Sequence, residues 1–354
     1  MPDYSPNGAS LGAGGAAVPV PARPARTRRL DLDRARGLAI LLVVFGHVVA
    51  QTVPDGVEWY EPVRYAIYRF HMPFFLYLSG TVVVLSGVLA AEPGQWPALL
   101  RKRAVRLLVP FFGIGLLILA IKLVALQLVF VDNPPEGLGG GLRDLFWTTG
   151  HSPATSVWYL LVLFLCTVTA MVLRRFGVGA TGLVVLGLAL QIPDVPPLAY
   201  LDRFASHFLF FAAGVWIAER QDRALPAFEQ HQLLWWLAFG ASLGLAHAGW
   251  LDERWSMVVC GLLCIPALHG AVRRPPLAGL QWPLALGRYS MAIYLFNTLA
   301  IGAAKAGLIL LGIGWTEGWF PLHATVAMAA GVTLPILLKA VVLRRMPAVD
   351  RLTD

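Results

Sequence analysis

Long apolar runs, rather than amphipathic stripes, dominate this chain. A helix of about 20 apolar residues crosses the roughly 30 Å hydrocarbon core of a bilayer. About ten stretches approach that description: 37–53, 72–89, 107–128, 157–173, 177–192, 207–218, 233–248, 257–271, 286–311 and 324–343. The sixth is short, so it starts earlier or tilts. The ninth begins near Ser290 if an interfacial turn precedes it. The expected fold class is all-α, a polytopic membrane protein of about ten transmembrane helices.

Charge placement tests that pattern. One set of loops carries Arg23, Arg26, Arg28, Arg29, Arg34 and Arg36, then Arg101, Lys102, Arg103 and Arg106. Arg174 with Arg175, Arg220 with Arg223, Arg273 with Arg274, and Arg344 with Arg345 fall on the same side. The alternate loops hold Asp55, Glu58 and Glu61, Asp132 and Glu136, Asp194 and Asp202, Asp252 and Glu253, and Glu317. A missed span would invert this alternation partway along. By the positive-inside rule both termini are expected to be cytoplasmic.

Composition agrees. Of 354 residues, 57% are hydrophobic and 14% charged, against about a quarter charged in a soluble domain. That excludes disorder and a single water-soluble core. Three cysteines exclude a disulfide scaffold. Lys and Arg outnumber Asp and Glu by 28 to 20, a net charge of +8. In a membrane protein this surplus reads as cationic loops, and no nucleic-acid partner is expected. Residues 1–29, rich in Gly, Ala and Pro, read as a disordered cytoplasmic tail. They lack the compact apolar region of a cleavable signal, so the first helix is expected to be retained. Residues 30–345 form the transmembrane domain and 346–354 a cytoplasmic C-terminal tail. The 129–156 loop, with Pro134, Pro135 and the run Gly139, Gly140 and Gly141, suits a flexible lid or a linker.

Ionisable groups inside lipid are costly and so draw attention. His47 lies well inside the first stretch, and Arg36 precedes it by eleven positions. Eleven steps of about 100° return nearly to the same face, roughly 16 Å further along the axis. Singly, the histidine suits a hydrogen bond to a neighbouring helix and the arginine a topology anchor. Together they suggest an anion anchor at the cytoplasmic mouth and a titratable imidazole deeper in, suited to general-base work. His71 opens the segment Phe70–Gly80 at the water boundary. Arg103 and Arg106, spaced i, i+3, share a face that suits phosphate. Cys166, Cys260 and Cys264 fall in apolar stretches without His or acid partners, so no metal site is expected.

These residues resemble the integral-membrane acyltransferase 3 family. Asp33-Arg34-Ala35-Arg36-Gly37-Leu38-Ala39-Ile40, running to Gly46-His47, is similar to its pattern of an Arg, ten residues and a His on the first membrane helix. Phe-His-Met-Pro-Phe-Phe and the Ser-Gly at 79–80, the Arg pair at 103 and 106, Trp158-Tyr159-Leu160, and Gly287-Arg288-Tyr289-Ser290-Met291-Ala292-Ile293-Tyr294-Leu295 follow in the family's order. The likeness spans most of residues 30–345. The first two elements most resemble a subgroup associated with sugar O-acetylation, the fucose 4-O-acetylase-like proteins. Many relatives carry a His shortly after the late Tyr-Leu; here Asn297 stands there, and Asn does not titrate.

The resemblance implies O-acyl transfer, with acetyl the expected group, from cytoplasmic acyl-CoA to a hydroxyl of a glycan or polysaccharide. The chain would sit as a multi-pass protein in the cell (plasma or inner) membrane, with acyl-CoA as co-substrate and no resident cofactor. Arg36, Arg103 and Arg106 would hold the phosphates of CoA, and His47 would be the base. Ser290, Tyr294 and Asn297 are candidate oxyanion donors. Asp33 would orient Arg36 or cap the helix, and His71 would support the acceptor. A secondary metabolite as acceptor is an alternative. A secondary transporter of a small polar solute would share ten helices and a basic mouth. The stretches, however, contain no Asp or Glu, and no inverted repeat is visible. The ordered motifs argue against a purely structural protein.

Overall fold

The computed structural model describes residues 29–49, 53–127, 131, 133–154 and 156–353. The tail expected at 1–29 therefore lies, apart from Arg29, outside the described residues, as does Asp132. The helices are α1 (Leu30–Val48), α2 (Tyr60–Tyr68), α3 (His71–Leu85), α4 (Trp96–Ala125), α5 (Gly137–Phe146), α6 (Trp158–Arg175) and α7 (Ala180–Ala189). They continue with α8 (Leu201–Ala218), α9 (Gln221–Gln230), α10 (Gln232–His247), α11 (Glu253–Arg273), α12 (Trp282–Leu310), α13 (Phe320–Leu337) and α14 (Pro347–Asp350). Among the described residues there is no strand, only one bridge between Thr148 and Leu198.

Among the described residues each of the ten apolar stretches overlaps a helix. Five segments are long and apolar enough to cross a membrane: Pro93–Ala125, Trp158–Arg175, Glu253–Arg273, Trp282–Leu310 and Glu317–Arg345. The remaining helices fall short for visible reasons. The first two turns of α1 carry Asp31, Asp33, Arg34 and Arg36, the start of α8 carries Asp202, Arg203 and His207, and α3, α7 and α10 are shorter. The protein is a multi-pass, all-helical membrane protein. Its surface agrees: α4 turns Val105, Val109, Phe112 and Leu116 outward, a continuous apolar stripe. Such a patch is a liability in water and matches lipid.

Bundle packing rests on small residues. A Cβ on Gly37 of α1 would lie 1.9 Å from the Pro283 carbonyl oxygen, and one on Gly287 of α12 would lie 2.0 Å from that of Asp33. The pair Gly80 and Gly214 joins α3 to α8 in the same reciprocal way. Lipid supplies no hydrophobic drive between helices, so such close backbone approach takes its place. It makes α1 the central element, packed against α3, α11, α12 and α13.

Burying the charged start of α1 requires compensation. Asp31 accepts from Arg29 Nε (3.0 Å) and Nη2 (2.8 Å), from Arg273 Nη1 (2.8 Å) and from His269 Nε2 (3.3 Å). His269 Nδ1 then accepts from the Tyr77 hydroxyl at 2.5 Å. The network ties α1 to α3 and α11.

Two sequence expectations change. Gly139, Gly140 and Gly141 lie inside α5 rather than in a flexible lid. Gly141 permits this, because its bare Cα abuts Leu119 of α4. Residues 346–353 are not a free tail. Buried Lys339 donates to the Thr353 carbonyl at 2.8 Å and stands 3.7 Å from Asp350, and Arg351–Thr353 packs on α4 and α12.

Candidate active site

Arg36 and His47 are both half-buried on α1. Neither makes a hydrogen bond among the described residues, which is unusual for such groups on a central helix. Arg36 stands within electrostatic reach of Asp33, of Arg106 on α4 and of Tyr159 on α6. Arg103 is likewise coupled to Arg106. Like charges gathered with so little local carboxylate repel one another unless an anion joins them.

Tyr159, to which the sequence reading gave no role, is the pivot of this end. It is buried, and its hydroxyl lies 2.6 Å from Ser79 Oγ of α3. Its ring packs edge-on against Phe75 and Tyr294, with centroids 6.0 and 5.3 Å away. Tyr294, Asn297 and Ser290 share a face of α12 by their spacing. Two of them cannot serve as free donors in this arrangement. The Tyr294 hydroxyl donates to the Ser156 carbonyl, and the Asn297 amide donates to the carbonyls of Ile293 and Tyr294 at 2.9 and 2.8 Å. Asn297 Oδ1 is left as a buried acceptor with no partner. Ser290 is half-buried.

The other end of the wall is built from imidazoles. His47 and His71 lie within electrostatic reach of each other, as do His71 and His207 of α8. Tyr68 bridges the first pair: its hydroxyl donates to the Gly46 carbonyl at 3.1 Å, and its ring meets His71 edge-on at 5.0 Å. Gly46 makes room for it, since a Cβ there would lie 2.9 Å from the Tyr68 ring. His71 is buried rather than exposed at a boundary. Its Nδ1 is 2.8 Å from the Ile67 carbonyl oxygen. A carbonyl only accepts, so Nδ1 carries the proton and Nε2 keeps its lone pair. His207 packs at 4.8 Å on Trp158, the residue before Tyr159. Lys305 holds the end of α1, donating to the Val48 carbonyl at 3.5 Å while lying 3.8 Å over Trp315.

The structure thus groups Arg36, Asp33, Arg106 and Arg103 at one end, His47 with His71 at the other, and Tyr294 against Tyr159 between helices. His207 and Tyr159 were missed, although an ionisable residue inside an apolar stretch was signal enough for the histidine. Among the described residues no group of three His, Cys, Asp or Glu side chains could hold a metal ion.

Comparison with known proteins gives the family. A family model described as an acyltransferase domain matches residues 29–340. The chain belongs to that acyltransferase family. It is similar to the nodulation protein NolL of Sinorhizobium fredii (strain NBRC 101917 / NGR234), 27% identical over 231 residues, 64% of this chain and 58% of the relative. It is also similar to the nodulation protein NolL of Mesorhizobium japonicum (strain LMG 29417 / CECT 9101 / MAFF 303099), 27% identical over 202 residues, 54% and 50% of the two chains. The chain spans about half the length of the curated relatives it matches. No solved structure matches.

Proposed function

We propose that this chain is a membrane-embedded O-acyltransferase. It takes an acyl group, in our reading acetyl, from cytoplasmic acyl-CoA and places it on a hydroxyl of a sugar or polysaccharide. The supporting observation is the wall of α1: among the described residues neither Arg36 nor His47 makes a hydrogen bond, and they lie within electrostatic reach of Arg106 and of His71 respectively. In this reading all ten apolar helices belong to the membrane domain, both termini are cytoplasmic, and the cell membrane is the site of action.

The phosphates of CoA bind Arg36, Arg103 and Arg106, where multiple guanidinium donors suit bidentate recognition. Asp33 orients Arg36. The pantetheine arm follows the roughly 16 Å between Arg36 and His47. His47 takes the proton of the acceptor hydroxyl as its oxygen attacks the thioester carbonyl. The C–S bond breaks, the ester forms, and the thiolate takes the proton back from His47, leaving CoA as a thiol. Such a positioned base is worth about 10²–10⁴-fold. His71, with Nδ1 pinned to Ile67, offers Nε2 to the acceptor hydroxyl. Ser290 is the member of the proposed donor set that makes no side-chain hydrogen bond among the described residues; Tyr294 and Asn297 shape the wall.

The test is acetyl-CoA-dependent acylation by the purified full-length protein in nanodiscs, followed by thiol release. His47→Ala is expected to abolish sugar-stimulated release while keeping acetyl-CoA binding. Near-normal transfer by that variant would overturn the assignment of the base.

A further inference from the structure

A catalytic imidazole is ordinarily oriented by a hydrogen bond to its far nitrogen. The His47 ring makes none among the described residues, so its position is set by the backbone that carries it. That backbone is the last turn of α1, which ends at Val48. The final carbonyls of a helix have no partner within it, and a helix end left to itself frays. In a membrane protein an unpaired carbonyl is costlier still.

Here the carbonyls on both sides of His47 are met by side chains from other helices. The Tyr60 hydroxyl donates to the Phe45 carbonyl at 2.6 Å, and the Tyr68 hydroxyl to the Gly46 carbonyl at 3.1 Å. Arg64 Nη1 reaches the Val49 carbonyl at 3.5 Å, while its Nε and Nη2 grip Glu61 at 3.1 and 2.8 Å. From α12, Lys305 donates to the Val48 carbonyl at 3.5 Å. Both cations also face the negative end of the helix dipole. Tyr60, Arg64 and Tyr68 are spaced four apart, so one face of α2 supplies three of these four donors. The tyrosines are themselves held. Tyr60 is 1% exposed, stacks on Phe45 at 5.0 Å and meets Phe320 of α13 edge-on at 5.4 Å. The Tyr68 ring fills the space that a side chain on Gly46 would take, and it meets His71 edge-on. Ile67, beside Tyr68 on α2, takes the His71 Nδ1 proton on its carbonyl.

We propose that α2 is a positioning clamp for the base. Tyr60, Arg64 and Tyr68 hold the turn that carries His47, and Tyr68 with Ile67 sets His71 beside it. None of these side chains touches a reacting atom; they are positioning residues, a role that rests on the acyl-transfer reading above. A reacting group misplaced by about 1 Å costs about 10²-fold in rate. The clamp therefore governs kcat, whereas donor binding depends on the arginines about three turns away along α1.

The experiment uses the full-length protein in nanodiscs, with acetyl-CoA and a panel of defined monosaccharides as probes. Tyr60→Phe and Tyr68→Phe each remove one hydroxyl and keep the ring. Each is expected to lower kcat, counted per bound acetyl-CoA, by about tenfold or more, with KM for acetyl-CoA within about twofold of wild type. Diethyl pyrocarbonate labelling, read by peptide mass spectrometry, reports on the imidazole itself. His47 is expected to react severalfold faster in both variants, while the exposed His231 reacts as in wild type. Tyr68 is 40% exposed, so Tyr68→Phe carries the test if Tyr60→Phe fails to fold. Unchanged kcat or unchanged His47 labelling in folded Tyr68→Phe would overturn the clamp and leave acyl transfer standing. So would a loss that appears in KM for acetyl-CoA instead of kcat. Wild type that transfers to no probe would bring down the sugar-acceptor reading, and His47 labelling would then decide the clamp by itself.

Discussion

Ser79 Oγ and Tyr159 Oη lie 2.6 Å apart, joining α3 to α6 where Tyr159 is within electrostatic reach of Arg36 and Arg106. Each hydroxyl is buried, so each depends on the other for its hydrogen bond. The pair therefore sets where the Tyr159 oxygen stands relative to the two guanidinium groups.

Tyr159→Phe should raise KM for acetyl-CoA by about fivefold to tenfold, the worth of one net hydrogen bond near charge. It should leave kcat within about twofold, because the ring keeps its contacts with Phe75 and Tyr294. Ser79→Ala should do the same, and the double variant should be no worse than either alone. Steady-state kinetics with acetyl-CoA as the varied substrate checks this; fully additive losses would show that the two hydroxyls act separately.

Arg103→Ala and Arg106→Ala should each raise KM for acetyl-CoA by roughly 10–100-fold, as expected for lost charge-assisted hydrogen bonds. The response to ionic strength should flatten as well, since fewer cations remain to be screened. The same variants should bind the dephosphorylated donor analogue acetyl-pantetheine as wild type does. Equal losses for both donors would detach these arginines from the phosphates.

The path from residues to site was legible where periodicity carried it. Arg36 and His47 are expected on one wall because eleven residues make about three helical turns, and they lie within electrostatic reach of Arg106 and of His71 respectively. Tyr159 and Ser79 were quoted within motifs, yet their contact joins positions 80 residues apart, which spacing along one helix does not encode. The span count was less legible. Hydropathy marks α1 and α8 as apolar, but their charged starts are rescued by tertiary partners such as Arg273 and His269 for Asp31. Lys339 illustrates the same limit: a cation near a helix end suggests snorkelling to water, whereas here it reaches the Thr353 carbonyl.

Gly287→Val should be among the most damaging changes far from any reacting atom. Even the first added carbon would meet the Asp33 carbonyl oxygen at 2.0 Å, forcing α12 away from α1. Overpacking of this kind costs about 1–3 kcal/mol, occasionally more, and here it also shifts the helix that carries Arg36. Reduced yield of folded protein by size-exclusion fluorescence, together with lost acyl transfer, is the expected result. Gly302→Val on the same helix, where an added Cβ meets nothing within 4 Å, should be tolerated.

Asp31 is the test of structure separated from chemistry. It is 8% exposed and is the shared acceptor for Arg29, Arg273 and His269. Removing one member of a buried charge network leaves the others uncompensated, at about 3–5 kcal/mol. Asp31→Asn should therefore lower the melting temperature of the solubilised protein by on the order of 10 °C. Arg273→Gln should add to that loss when combined with it, since Arg273 also pairs with Glu229, which would then lose its partner. Because the described contacts of Asp31 run to Arg29, Arg273 and His269 rather than to Arg36 or His47, KM for acetyl-CoA measured well below the melting point should stay within about twofold. A shift in KM with unchanged melting would instead place Asp31 in the donor site, and would move that site toward α11.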